Sequence, residues 1–163
     1  MTGTYLSGYP YCVACRPADQ HSGHWLPATG RSIHGQPPRR QARWSDGKPV
    51  TAQDFLLAWR RLLDPKTAAR QAQILWAIKN ARAITAGRLP SSALGVTASA
   101  PSVLRIVLEA PAPYLPELLA FPAALPLPAA PSFAPGRAIS NGPYLLKSWQ
   151  PNDHIGLVKN PLF

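Results

Sequence analysis

Apolar and polar positions fall into a regular order only after Arg43. Trp44-Ser45-Asp46-Gly47-Lys48-Pro49 predicts a turn, with Asp-Gly supplying tolerant positions and Pro a rigid one. A helix is expected from Thr51, where a threonine hydroxyl caps the first turn and Asp54, three residues on, returns the bond. Phe55, Trp59 and Leu62 share one face of that helix, with Leu56 and Leu63 beside them, so it carries an apolar stripe to bury. Asp64-Pro65 ends it, because the residue before proline is pushed out of the helical region.

The pattern continues in short pieces. Ile74, Leu75, Ile78 and Ile84 predict a second helical stretch from about Ala68 to Ala86, with Gly87 suited to its C-terminal cap. Leu94-Gly95-Val96 leads into a hairpin of Val96 to Ala98 and Val103 to Leu108, connected through Ser99 to Ser102. Pro111, Pro113 and Pro116 leave room for only a short helix around Tyr114 to Ala120. Phe121 to Pro135 is rich in Pro and Ala and is expected to be extended. Tyr144 to Trp149 and Ile155 to Val158 read as two strands joined through Pro151-Asn152-Asp153. Met1 to Arg43 shows neither a helical nor a strand period over any sustained length, so irregular chain is expected there.

Length and composition set limits on this picture. A chain of 163 residues holds one modest domain, and its 20 prolines keep helices and strands short. Lys and Arg number 17 against 7 Asp and Glu, a formal charge of +10, yet only 15% of residues are charged. The excess comes from scarce acids. It permits binding to nucleic acid or anionic lipid without identifying either. Residues 1–43 carry +4 and the remaining 120 carry +6, and neither part holds the dense basic block of a nucleic-acid arm. Prolines and charges interrupt every candidate membrane span. Met1 to Tyr11 has no Lys or Arg and no apolar core of a signal peptide, so the chain as written is expected to remain cytoplasmic. Two cysteines make no disulfide framework.

Few residues offer chemistry. Cys12-x-x-Cys15 followed by His21-x-x-His24 contains four zinc-ligand types, but the pairs are closer than in a zinc finger and no apolar helix follows. No metal and no cofactor are therefore expected. No G-x-S-x-G, H-E-x-x-H or phosphate-cradling glycine loop occurs, so no catalytic residue is assigned and no enzyme is expected. Asp46 and Asp54 are the nearest approach to a carboxylate pair, and each has a structural task in its turn or helix cap. Trp44, Trp59, Trp76 and Trp149 are expected in the core rather than as stacking platforms. His34 and His154 are expected to be solvated and unpartnered.

The run from Trp44 through Thr51-Ala52-Gln53-Asp54-Phe55 resembles the opening of the small lobe in family 5 extracellular solute-binding proteins, above all periplasmic oligopeptide-binding proteins of ABC transporters. The resemblance continues through Trp59-Arg60-Arg61-Leu62, Asp64-Pro65-Lys66-Thr67-Ala68 and Ile78-Lys79-Asn80-Ala81. Pro111-Ala112-Pro113-Tyr114, Ser140-Asn141-Gly142-Pro143-Tyr144, Trp149 and Lys159-Asn160-Pro161 extend it over roughly three quarters of the chain, an order of landmarks far more specific than one motif. It implies an α/β chain with a partial type II periplasmic-binding-protein fold. This would be mainly the small lobe with the start of the return to the large lobe.

The same resemblance implies an oligopeptide ligand, an ABC permease as partner, a periplasmic setting and no catalysis. Complete family members are several hundred residues longer, so the chain is expected to be a fragment that binds peptide poorly alone. Where relatives place Pro-Tyr after the Thr-Ala that opens the second helix, this chain has Arg70 and Gln71, which puts that aromatic ligand contact in doubt and leaves ligand-binding residues unassigned. The partition expected is an irregular segment, 1–43, and a partial solute-binding domain, 44–163. Family pattern is lost abruptly upstream, so residues before about Arg39 are expected to be translated in a foreign frame. The alternative is a small basic protein whose N-terminal arm binds nucleic acid or zinc.

Overall fold

The computed structural model describes residues 25–27, 32–35, 42–112, 114–132 and 134–163. The expected turn forms: the Gly47 amide donates to Trp44 O at 2.9 Å, Lys48 N to Asp46 Oδ1 at 3.1 Å, and Gly47 takes φ +86°, where a Cβ would be strained. Arg43 bridges Pro49 beside it. Helix α1, Ala52–Leu63, follows directly, and Thr51 and Asp54 close the expected capping box. Its inward face is Ala52, Leu56, Trp59 and Leu63, with Phe55 and Leu62 half-buried on the flanks. Asp64 stops the helix as expected and accepts a bond from Lys66 N at 2.9 Å.

The single second helix is corrected to two short pieces. Ala72–Leu75 is a turn of 3₁₀ helix and α2 is only Ala81–Thr85, with Ala68 and Asn80 left-handed at φ 48° and 66°. The cause is tertiary. Lys79 N donates to Val107 O at 2.9 Å and Lys79 O accepts from Gly95 N at 3.0 Å, so this peptide serves the sheet and cannot also serve a helix. The apolar positions still point inward: Leu75, Ile78 and Ile84 are fully buried. Gly87 is the expected cap, with φ +71°. Gly87 N bonds Ile84 O at 2.8 Å and Arg88 N bonds Ala83 O at 2.9 Å, the paired bonds of a Schellman motif.

Strands β1 Trp25–Pro27, β2 Ser32–Gly35, β3 Val96–Ala100 and β4 Val103–Val107 form an antiparallel sheet in the order β1-β2-β4-β3. The β3–β4 hairpin was expected. β1 and β2 were not, since residues 1–43 were expected to be irregular. β2 pairs along β4, Ile33 opposite Ile106. Strands of three and four residues are too short to show a period, and backbone bonds to an open edge are what hold them. Val96, Leu104, Ile106 and Leu108 meet the buried face of α1 in the core. Each fully buried aliphatic side chain there contributes about 1.5–3 kcal/mol.

Beyond the sheet, α3 (Leu115–Leu118) buries Leu115, and a 3₁₀ turn at Pro122–Ala124 starts an otherwise extended strap. A second, two-stranded sheet pairs β5 Tyr144–Gln150 with β6 His154–Lys159, close to the expected bounds. Asn152 at φ 64° makes their turn. The hairpin leaves Tyr144, Trp149, Ile155 and Leu157 exposed, so Trp149 is not the core residue expected. It is tied to the turn before α1 at Ser45, whose N donates to Ser140 O at 2.8 Å and whose Oγ accepts from Ser140 N at 3.2 Å, while buried Asn160 closes the base of the hairpin itself, its Nδ2 donating to Gly142 O at 2.8 Å. Among the described residues no helix is long and apolar enough to cross a membrane.

Candidate functional site

An open cleft of about 400 Å³ lies between α1 and the strap. Helical spacing puts Ala58, Arg61 and Leu62 on the side of α1 that faces it. The opposite wall is Leu125 to Pro128. Prolines 122, 126 and 128 lack amide donors and keep the strap from folding into a helix of its own. A long-range bond holds the strap to the core: Trp59 Nε1 donates to Ala124 O at 2.8 Å, between two buried residues. Trp44, Ser140 and Asn141 close one end.

The walls are mainly apolar, with polar groups from Arg61, Thr67, Ser140 and Asn141. Arg61 is exposed and makes no ion pair among the described residues. The cleft thus offers apolar contact, one fixed positive charge and small polar groups, a combination suited to holding a ligand. It contains no acid–base pair.

The residues singled out by sequence take separate places. Asp46 is in the exposed turn, 3.0 Å from Lys48 Nζ; that side-chain bond first, and the Lys48 amide second, hold its carboxyl below the usual value. Asp54 is buried at the start of α1 and accepts from Thr51 N at 2.8 Å and from Thr51 Oγ1 and Trp44 Nε1, each at 3.2 Å. Each carboxylate serves its own local structure. Trp59 is in the core and Trp44 is buried at the cleft end. Trp76 is half-buried under the Arg82 guanidinium, 5.1 Å from the ring centroid.

Arg70 and Gln71 are exposed at the entry to the 3₁₀ turn and do not line the cleft. Cys12, Cys15, His21 and His24 lie outside the described residues; among those described, no group of three metal-ligand types comes together. His34 sits in β2. The expectation that His154 lacks a partner is corrected: its Nδ1 is 2.8 Å from Asp153 Oδ2 and its Nε2 is 3.5 Å from Ser148 Oγ. Asp153 is its sequence neighbour, so half of this contact was readable. The cleft itself was missed, and the only signals for it were the run of prolines after Phe121 and the tryptophan at position 59 in α1.

Comparison with known proteins places this geometry. Residues 39–163 match the family model for bacterial extracellular solute-binding proteins, family 5 Middle. The chain is 40% identical over 134 residues to the periplasmic oligopeptide-binding protein OppA of Salmonella typhimurium, covering 77% of this chain and 25% of that protein. It is 41% identical over 130 residues to the periplasmic murein peptide-binding protein MppA of Escherichia coli, covering 75% and 24%. Its fold is similar to OppA of Burkholderia pseudomallei, with a TM-score of 0.78 at 37% identity, covering 86% of this chain and 29% of that one. The chain spans about a quarter of the length of the curated relatives it matches.

Proposed function

The chain belongs to the bacterial extracellular solute-binding proteins of family 5, and from that premise we propose that it is part of a peptide-capturing component of an ABC importer. The observation that carries this is the family match over residues 39–163, joined to 40% identity with an oligopeptide-binding protein. Such a protein works in the periplasm and hands its ligand to a membrane permease. It performs no chemistry on that ligand.

The physical task suits what the chain carries. Binding peptides of many sequences requires backbone pairing for affinity and roomy, hydrated pockets for side chains. A cleft with apolar walls and one unpaired arginine accepts an apolar side chain together with a carboxylate.

A chimera tests the proposal. Residues 44–163 replace the matching span of the Salmonella OppA protein, and tripeptide binding is followed by titration calorimetry. Saturable binding is expected. A folded chimera that binds no peptide overturns the proposal.

A further inference from the structure

Three polar side chains lie in sequence of action on the β5–β6 hairpin, away from the cleft. His154 Nδ1 approaches Asp153 Oδ2 at 2.8 Å, and His154 Nε2 faces Ser148 Oγ at 3.5 Å. In the tautomer that carries its proton on Nδ1, that nitrogen donates to the carboxylate and Nε2 is the acceptor facing the hydroxyl. A hydroxyl, a base beside it and a group that orients the base are the parts of an activated nucleophile.

Regular pairing alone does not produce this arrangement. Ser148 is opposite Gly156 and His154 is opposite Gln150, so Ser148 and His154 are diagonal neighbours on one face. The ladder shifts register between Leu146 and Ser148, and such a bulge re-aims the side chain that follows it. Gly156 supplies the space. A Cβ at Gly156 would collide with Ser148 Oγ, and Gly156 has no left-handed φ to require glycine for any other reason.

We propose that Ser148 is a nucleophilic serine that accepts an acyl group from activated esters, with His154 as its base and Asp153 as the residue that positions the ring. Ser148 Oγ bonds to the carbonyl carbon while its proton passes to His154 Nε2. The bond from that carbon to the leaving oxygen then breaks, and the departing aryloxide takes the proton from His154. The products are an acyl ester on Ser148 and a free phenol, with no change of oxidation state. The 3.5 Å contact shortens as the proton moves, as such contacts do on reaction.

The test uses the 163-residue chain with p-nitrophenyl acetate, read by peptide mapping of the acetyl group and by release of nitrophenol. Acetylation at Ser148 is expected, with none at that position in S148A. H154Q slows it about 10²-fold, the contribution of a positioned base. G156A slows it too, with circular dichroism unchanged, because the added Cβ turns Oγ away. D153N slows it and alters the pH profile of the rate, which a purely structural loss would not do. Acetyl groups confined to lysines and the amino terminus, or equal Ser148 acetylation in H154Q, overturn the proposal. If G156A fails to fold, H154Q decides alone.

Discussion

Trp44 Nε1 donates to Asp54 Oδ2 at 3.2 Å, and both residues are buried. This one bond joins the turn before α1 to the cap of the helix itself. The same oxygen accepts the Thr51 amide at 2.8 Å, so a single carboxylate orders the end of the cleft and starts the helix that forms its wall.

Removing that carboxylate has two costs. D54A loses the cap, about 1 kcal/mol, and strands the buried Trp44 N–H, about 1–3 kcal/mol. A total loss of about 2–4 kcal/mol is expected from urea unfolding. W44F removes the stranded donor, so the D54A/W44F double variant should lose less than the two single variants added together.

Asp46 predicts a pH effect of defined sign. Its carboxyl is held below the ordinary value by Lys48, so the folded state favours the ionised form. The stability this adds is present above the unfolded value and is lost as pH falls through the lowered folded value. D46N should flatten that part of the acid unfolding curve and keep the turn, since an amide oxygen still accepts from Lys48 N. Both groups are solvated, so the effect should be small and should shrink further in salt.

The strap should depend on Trp59. W59F keeps most of the apolar volume but leaves the O of buried Ala124 without its donor. A loss of about 1–3 kcal/mol is expected. Proteolysis between Phe121 and Pro135 should accelerate more than cleavage elsewhere. Equal acceleration at all sites would show that the indole bond does not hold the strap.

Asn160 should govern the closed base of the β5–β6 hairpin. Its Nδ2 donates to Gly142 O at 2.8 Å and its Oδ1 accepts from Leu162 N at 3.0 Å, at 2% exposure. N160A leaves the buried Gly142 carbonyl unpaired and should cost about 1–3 kcal/mol. N160D keeps only the accepting half and should recover part of that loss. A neutral N160A, by thermal unfolding, would contradict the buried bond.

Gly87 offers a cleaner backbone test. Its φ of +71° is in the left-handed region, and the nearest atom to an added Cβ is at ordinary contact distance, 3.8 Å. G87A should therefore cost about 1–2 kcal/mol from conformation alone.

Local features were legible in advance. The capping box, the Asp64-Pro65 stop, the Gly87 cap and the β3–β4 and β5–β6 hairpins all depend on residues within a few positions of one another. The split of the second helix was not legible. Ile74, Leu75, Ile78 and Ile84 fit a helical period, and the Lys79 peptide is claimed by β4, nearly thirty residues on. The cleft was hidden for the same reason: its strap is held by Trp59 across 65 residues of sequence. The Ser148–His154–Asp153 line needed the bulge and the diagonal register, which residue spacing does not reveal.

By itself the sequence determined where α1 begins and ends, which positions are apolar, and the ordered landmarks that mark the family. These follow from short-range sterics, capping and periodicity, which each stretch of chain carries alone. Only the tertiary structure decided that residues 78–79 serve a sheet, that the proline strap roofs α1, and that β2 pairs along β4. Each of those choices assigns a backbone or indole group to a partner far away in the chain. Every buried donor or acceptor must find one, and local sequence does not specify which.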